Sequence, residues 1–413
     1  MSTYAKIPIV KKETKKEKEI INLVSRISPV DSGAMEEAKK RQDYRVKVPG
    51  SLGRLEEISI RLAGITGKPY GNEVRNQAII LMCGDNGVVE EGVASAPQTV
   101  TLMQTINFTK KITGVGTQAE YFGIDILPID VGLKLPIPEE YLTDEMGFTS
   151  KVVNRRIANG TKNLAKEPAM SREEAIRAIL IGAEAAEACK AAGKNLIGVG
   201  EMGIGNTTTA TAIIAGIALG KDPGRRVEDL VGDIVGRGGG LDDQGLAKKK
   251  QVIEEALIRY REIYSAADST EGTETPGILG LDPIELLRCV GGFDIAAMTG
   301  AYLGAAANRL PAVVDGVISI AAALIAVEIC PLVKDYIFTS HKSREGGYAL
   351  AADLLGISPM YDLDMRLGEG SGCPIAFKII EAATAVINNM KSLDEAQVDG
   401  GYLDQFREEG QFK

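Results

Sequence analysis

From about residue 75 onward one unit recurs along the chain: a short apolar run, a polar or glycine-rich loop, then an amphipathic or alanine-rich helical stretch. The unit is read in AIILMCGDNG (78–87), NLIGVGEMGIGNTTTATAIIAG (195–216), LPAVVDGVISIAAALIA (310–326), DYIFTSHKSREGG (335–347), and MRLGEGSGCP (365–374) with the helical text that follows it. Short apolar runs bounded by loops predict buried strands, and the helices between them predict a parallel sheet covered on its faces, a Rossmann-like α/β fold. In such sheets ligands bind at the carboxyl ends of the strands. Asp85, Glu201, Asp315, Ser343 and Glu369 each fall just after a predicted strand, so five segments are expected to meet around one cleft. Any one of these residues alone is ordinary, since strand-to-helix loops are polar and Asp or Ser often caps the next helix.

The first 75 residues read differently. A charged extension to residue 28, with a helix over 19–27, precedes a helix over 32–43 and a turn and helix in PGSLGRLEEISIRLAGITG. The expected division is therefore an N-terminal extension (1–28), a helical part of a small domain (29–75), a large α/β domain (76–372) and C-terminal helices (373–413) that complete the small domain. Residues 268–280, DSTEGTETPGILG, predict an exposed loop. The most apolar region, 296–330, is interrupted by Asn308, Arg309 and Asp315 and has no run of the ~18 residues that a membrane span needs. Its Gly300 and Gly304 predict a close helix crossing rather than a membrane contact.

Composition narrows the function. The chain has 413 residues and a net charge of −9 with no basic stripe on any predicted helix, which leaves a nucleic-acid role without electrostatic support. Five cysteines without CxxC spacing argue against a disulfide framework and a zinc site. The first twenty residues carry no apolar core of signal-peptide length, so a cytoplasmic, small-molecule enzyme is expected.

GVGEMG (198–203) matches GxGxxG between a predicted strand and helix, the setting of a dinucleotide-binding turn. Glu201 would then stand where a pyrophosphate must rest, so a tight turn of small residues is the competing reading. Asn206, Thr207 and Thr208 follow at a helix start, where they could hold an anion or cap the helix. VGRGGGLDDQGLAKKK (235–250) offers Arg237, clustered glycines and lysines, either as a phosphate cradle or as a solvated helix start. His341 is the only histidine, which excludes a multi-histidine metal site and turns attention to carboxylates for acid–base work. Glu369, set between glycines, is the leading candidate; interaction with the dipole of the following helix explains it equally well.

Taken in order, VPGSLGRLEEISIRLAG, MCGDNGVVEEGVASAPQTVT, GVGEMGIGNTTTATA, GRGGGLDDQGLAKKK, VGGFDIAAMTGAYLGAAANRLPAVVDGVISIAAAL, FTSHKSREGG and MRLGEGSG resemble the nicotinate-nucleotide:5,6-dimethylbenzimidazole phosphoribosyltransferase family over residues 48–390. The resemblance implies transfer of 5-phosphoribose from nicotinate mononucleotide to the base, giving α-ribazole 5′-phosphate and nicotinate in cobalamin assembly, without metal or redox cofactor. It places the general base at Glu369. It places Glu201, Gly203, Asn206, Asp315, Ser343 and Gly368 at the nucleotide, Lys249 and the GRGGG loop near its phosphate, and Gln104, Ala96, Met202 and Leu367 around the acceptor. It also implies a homodimer, with a heterodimer as the alternative.

Three positions depart from the family pattern. Asn86 stands where the family has His, Ala96 where a polar residue is common, and Met202 where Leu is usual. The last two reshape the acceptor pocket, which keeps a phenol or another benzimidazole open as acceptor. A non-catalytic partner subunit of the same fold is the reading from a different class.

Overall fold

The computed structural model describes residues 15–268 and 282–401, with the side chains of 263–268 excepted. Of the expected loop at 268–280, only residue 268 is among them, at the end of a helix. Seven strands form one sheet: β1 Gln77–Gly84, β2 Asp125–Gly132, β3 Leu142–Thr143, β4 Val152–Asn154, β5 Leu196–Met202, β6 Ala312–Val314 and β7 Ile337–Thr339. Their order is β3-β4-β2-β1-β5-β6-β7, and every neighbouring pair is parallel. All eight residues of β1 are buried, which is why its sequence after Gln77, AIILMCG, is continuously apolar rather than alternating. The Rossmann-like reading therefore holds.

Fourteen helices accompany the sheet among the described residues. In chain order they are α1 Lys15–Ser25, α2 Ser32–Asp43, α3 Arg54–Thr66, α4 Thr99–Thr109, α5 Gly114–Phe122, α6 Arg172–Ala191 and α7 Asn206–Lys221. They continue with α8 Val227–Ile234, α9 Asp243–Asp268, α10 Pro283–Val290, α11 Phe293–Ala307, α12 Val317–Ile329, α13 Gly347–Leu355 and α14 Cys373–Asn389. Helix α6 shows how local sequence sets a boundary: Ser171 accepts from the Glu174 amide while Glu174 reaches back to the Ser171 amide, a capping box. Helix α1 begins four residues before the expected position and buries Ile20, Leu23 and Val24 against α6 and α11.

Gly300 and Gly304 do mark a close crossing. A Cβ added at Gly300 would lie 1.7 Å from the Ile179 carbonyl oxygen on α6, and one at Gly304 2.7 Å from Ala183 Cα. No helix among the described residues is long and apolar enough to cross a membrane. A second, smaller core of Ala38, Ala63 and Ile387 joins α2, α3 and the far end of α14. Arg41 Nε and Arg45 Nη1 donate to the carbonyls of Ile387 and Met390 at 2.9 and 2.7 Å, closing that end of α14 onto α2.

The sheet has one point where connections leave in opposite directions. After β1 the chain turns to β2 on one side, and after β5 to β6 on the other, so the crevice beyond the carboxyl ends of β1 and β5 is where the topology places a ligand. One expectation fails here. Glu369 follows no strand; α13 and the strandless residues 356–368 lie between it and β7. Its loop is brought to the crevice by packing rather than by sheet topology. Glu201 likewise sits inside β5, next to its last residue.

Candidate active site

A cleft of about 280 Å³ opens at that crevice, close to the lower end of the volumes of small-molecule sites (roughly 300–1,000 Å³). Its floor is the end of β5 and the first turn of α7. Its walls are residues 93–96, α4 at Val100 and Gln104, the glycine loop at 237–239, the start of α12, His341 to Glu345, and Arg366 to Glu369.

The Glu369 loop has an unusual backbone. Gly368, Glu369 and Gly370 have φ of 82°, 61° and 76°, three successive residues in the left-handed region. Glycine adopts it freely, but for Glu369 the conformation costs of order 1 kcal/mol or more and must be held by its surroundings. Asp315 accepts from the Gly370 and Gly372 amides at 3.0 and 2.7 Å, Tyr361 donates to the Gly372 carbonyl at 2.7 Å, and the Glu369 amide donates to Glu201 Oε1 at 3.3 Å. Beneath the loop lies Gly200 of β5, where an added Cβ would stand 2.5 Å from Gly370 N.

The Glu369 side chain is 5% exposed. Gln104 Nε2 donates to Oε1 at 3.1 Å, whereas Oε2 has no hydrogen bond of ordinary geometry. The amides of Gly114 and Val115, at the start of α5, face the carboxylate and favour its charge, but burial outweighs them and lifts its pKa above the usual carboxylate value. The result is a buried carboxylate that lines the cleft and has a raised affinity for a proton.

Behind it lies a nest of acids. Asn206 Nδ2 donates both to Glu201 Oε2 and, at 3.1 Å, to Asp294 Oδ2. Burial, then the Asp294 charge, pushes Glu201 up to about 8; burial pushes Asp315 to about 7 and Asp294 to about 6. Lys249, fully buried, donates to Thr207 Oγ1 at 2.9 Å and the Gly236 carbonyl at 3.1 Å, bracing the glycine loop against the start of α7. Its burial lowers its pKa to about 8. His341 Nδ1 meets Ser340 Oγ at 3.1 Å, and burial holds the imidazole neutral with a pKa of about 4.

Residues 27–398 match a protein family described as phosphoribosyltransferase. The chain belongs to this family. It is 46% identical over 383 residues to a nicotinate-nucleotide–dimethylbenzimidazole phosphoribosyltransferase of Clostridium perfringens, covering 93% of this chain and 96% of that protein. A protein of the same name from Alkaliphilus metalliredigens is 44% identical over 373 residues, or 90% of this chain and 97% of its own length. The crystal structure of a protein so named from Thermus thermophilus superposes with a TM-score of 0.77 at 33% identity, covering 90% of this chain and all of that one.

The phosphoribosyltransferase fold brings ten of the sequence-expected site residues to the cleft: Ala96, Gln104, Glu201, Met202, Gly203, Asn206, Ser343, Leu367, Gly368 and Glu369. Asp315 and Lys249 lie one layer behind, as the braces of the two glycine loops. Arg366 and Ser95 line the cleft and Asp294 lies beneath it, and none of these was expected. Arg366 adjoins MRLGEGSG's glycines and could have been found there, whereas Asp294 reads locally as an ordinary first-turn helix acid. The dinucleotide reading of GVGEMG fails, because Gly198 and Gly200 lie within β5 and not in the turn after it. Asn86, in the family's histidine position, is buried below the cleft with neither amide atom hydrogen-bonded in ordinary geometry.

The acid nest sets a pH dependence of stability. Glu201 titrates at 4.5 in an ordinary setting and about 8 here, so its contribution is complete below 4.5 and is lost as pH rises towards 8. Through that window the unfolded chain has released a proton that the folded chain keeps, at ~1.4 kcal/mol per pH unit for a group shifted this far. Lys249 acts oppositely only above pH 8. Thermal unfolding followed by circular dichroism should therefore show a falling midpoint from pH 6 to 8, with a shallower fall in Glu201→Gln.

Proposed function

We propose that this phosphoribosyltransferase transfers 5-phosphoribose from nicotinate mononucleotide to 5,6-dimethylbenzimidazole, giving α-ribazole 5′-phosphate and nicotinate. The observation that carries the reading is Glu369: a buried carboxylate lining the cleft, held by the Gln104 N–H and with its proton affinity raised by burial. The Glu369 carboxylate takes the N–H proton of the imidazole ring while the other ring nitrogen attacks C1′. The C1′–nitrogen bond to nicotinate breaks as the new bond forms, its electron pair neutralising the pyridinium. Attack on the face opposite the departing ring turns the β-linkage into an α-linkage.

The leaving group is already activated, so the protein contributes chiefly orientation and a proton acceptor. Arg237, Gly238 and Gly239, with Thr207 and Ser343, form the end of the cleft suited to the 5′-phosphate, Lys249 supplying positive charge from behind. Glu201 and Asn206 face the ribose and pyridinium region, where a cation draws the acid nest towards its ionised form. Ala96, Met202 and Leu367 give the acceptor side an apolar lining. The absence of a polar group at Ala96 favours no single aromatic acceptor, so the test is a competition.

Purified protein is incubated with nicotinate mononucleotide and equimolar 5,6-dimethylbenzimidazole, benzimidazole and phenol, and the ribotides are separated chromatographically. We expect the dimethylbenzimidazole product to dominate. A dominant phenol product would replace the acceptor, and no nicotinate release with any base would favour a non-catalytic subunit.

We also infer the division into a large α/β domain (76–372) and a small helical domain from 29–75 and 373–413, after an extension of 1–28; the separate core of Ala38, Ala63 and Ile387 supports it. A homodimer, with a heterodimer as the alternative, is inferred from the family resemblance, and a cytoplasmic location from the scattered cysteines without CxxC spacing. Met103, Ile112 and Tyr121, left 61%, 65% and 83% exposed on and around α4 and α5, support a face for self-association.

A further inference from the structure

Gln104 makes two hydrogen bonds that depend on each other. Its Nε2 donates to Glu369 Oε1, and its Oε1 accepts from Asn107 Nδ2 at 3.0 Å. The two residues stand three apart on α4, so their side chains are neighbours on one helix face. A side-chain amide donates at one end and accepts at the other, and the two ends are nearly the same shape. Gln104 can therefore sit in two ways, of which one turns N–H towards the carboxylate and the other turns a carbonyl towards it.

We propose that Asn107 is a positioning residue: by donating to Gln104 Oε1 it keeps the Gln104 N–H on Glu369 Oε1 and so holds the carboxylate in its ionised, proton-accepting form. This rests on the reading of Glu369 as the general base. A hydrogen bond donated to a carboxylate favours its ionised, proton-accepting form, and a carbonyl oxygen in the same place disfavours it. The groups facing Glu369 from other elements are Glu201 of β5, Asp315 after β6 and the first amides of α5; Arg366, in its own loop, lines the same cleft. Among these and Gln104, only Gln104 can reverse its polarity by a simple rotation.

The test uses Asn107→Ala and Asn107→Asp, each in the native chain and in Gln104→Leu. The readout is kcat/KM for nicotinate release against pH, with thermal midpoints and nicotinate mononucleotide affinity as checks of the fold. A carboxylate at position 107 can only accept, so it draws Gln104 Nε2 to itself and turns the carbonyl onto Glu369. Asn107→Asp should then lower kcat/KM at neutral pH about tenfold below Asn107→Ala and move the acid limb up by about one pH unit. In Gln104→Leu the same substitution should move nothing further.

Equal behaviour of Asn107→Asp and Asn107→Ala overturns the proposal. So does a shift that survives in Gln104→Leu, since it would then be the direct field of the new charge. Should Asn107→Asp not fold, Asn107→Ala carries the test: its smaller upward shift must disappear in Gln104→Leu, and its absence in the native chain overturns the proposal. Glu369→Gln run alongside separates the two readings. If its rate falls by the expected hundredfold or more while the Asn107 series is flat, the base stands and the positioning role falls; if it stays within about threefold of native, the base itself falls.

Discussion

Glu369→Gln is expected to lower kcat/KM for nicotinate release by roughly 10²- to 10⁴-fold, the range associated with removing a general base. Glutamine keeps the size of the side chain and an oxygen for the Gln104 N–H, but it has no basic atom to take the proton. A residual rate should remain, because bound and aligned reactants with a cationic leaving group need only part of the barrier lowered. The pH profile supplies the second signature. Glu369 works ionised, and burial raises its pKa, so native activity falls with decreasing pH at a higher pH than an ordinary glutamate would give. The residual rate of the variant should lack that limb. Its thermal midpoint should stay near native, since removing the cost of burying a carboxylate offsets the loss of its attraction to the Gly114 and Val115 amides. A rate within about threefold of native would remove Glu369 from the chemistry.

Much of this was legible in the sequence, for a physical reason. A central parallel strand must be apolar throughout and must end in a loop, so β1, β5, β6 and β7 announce themselves as short apolar runs with polar ends. The closely crossing pair α6 and α11 announces itself through Gly300 and Gly304, because nothing larger fits there. Glu369 is legible as a residue but not as an element. Periodicity reports only local structure, and its loop is defined by what it lies on. Asp294 is invisible for the same reason: its partner Asn206 is 88 residues away, and only the fold puts the two at 3.1 Å. Lys249 and Asp315 stand out in the sequence but belong a layer deeper than the cleft lining, holding glycine loops whose own sequences say nothing about what supports them.

The glycines of GVGEMG carry the other large effect. Side chains two apart on a strand point to the same face, so Gly198 and Gly200 leave one face of β5 bare. An alanine Cβ at Gly200 would lie 2.5 and 2.6 Å from Gly370 N and Cα and 2.8 Å from Glu369 C, all backbone atoms that cannot rotate away. An alanine Cβ at Gly198 would instead meet Cys373 Cβ and Sγ at 2.6 and 2.7 Å, on the first turn of α14. Both substitutions overpack a buried interface, and each should cost about 1–3 kcal/mol in denaturant unfolding. Activity should separate them. Relief of the Gly200→Ala contact requires the Glu369 loop to move by close to an ångström, which is enough to cost about a hundredfold in kcat/KM. Gly198→Ala presses on side chains and the following helix, and should keep most of the native rate. Equal losses from the two would mean that general destabilisation, and not the position of Glu369, explains the result. A pattern that reads as a phosphate-binding turn is thus a bare strip of strand on which a catalytic loop can lie flat.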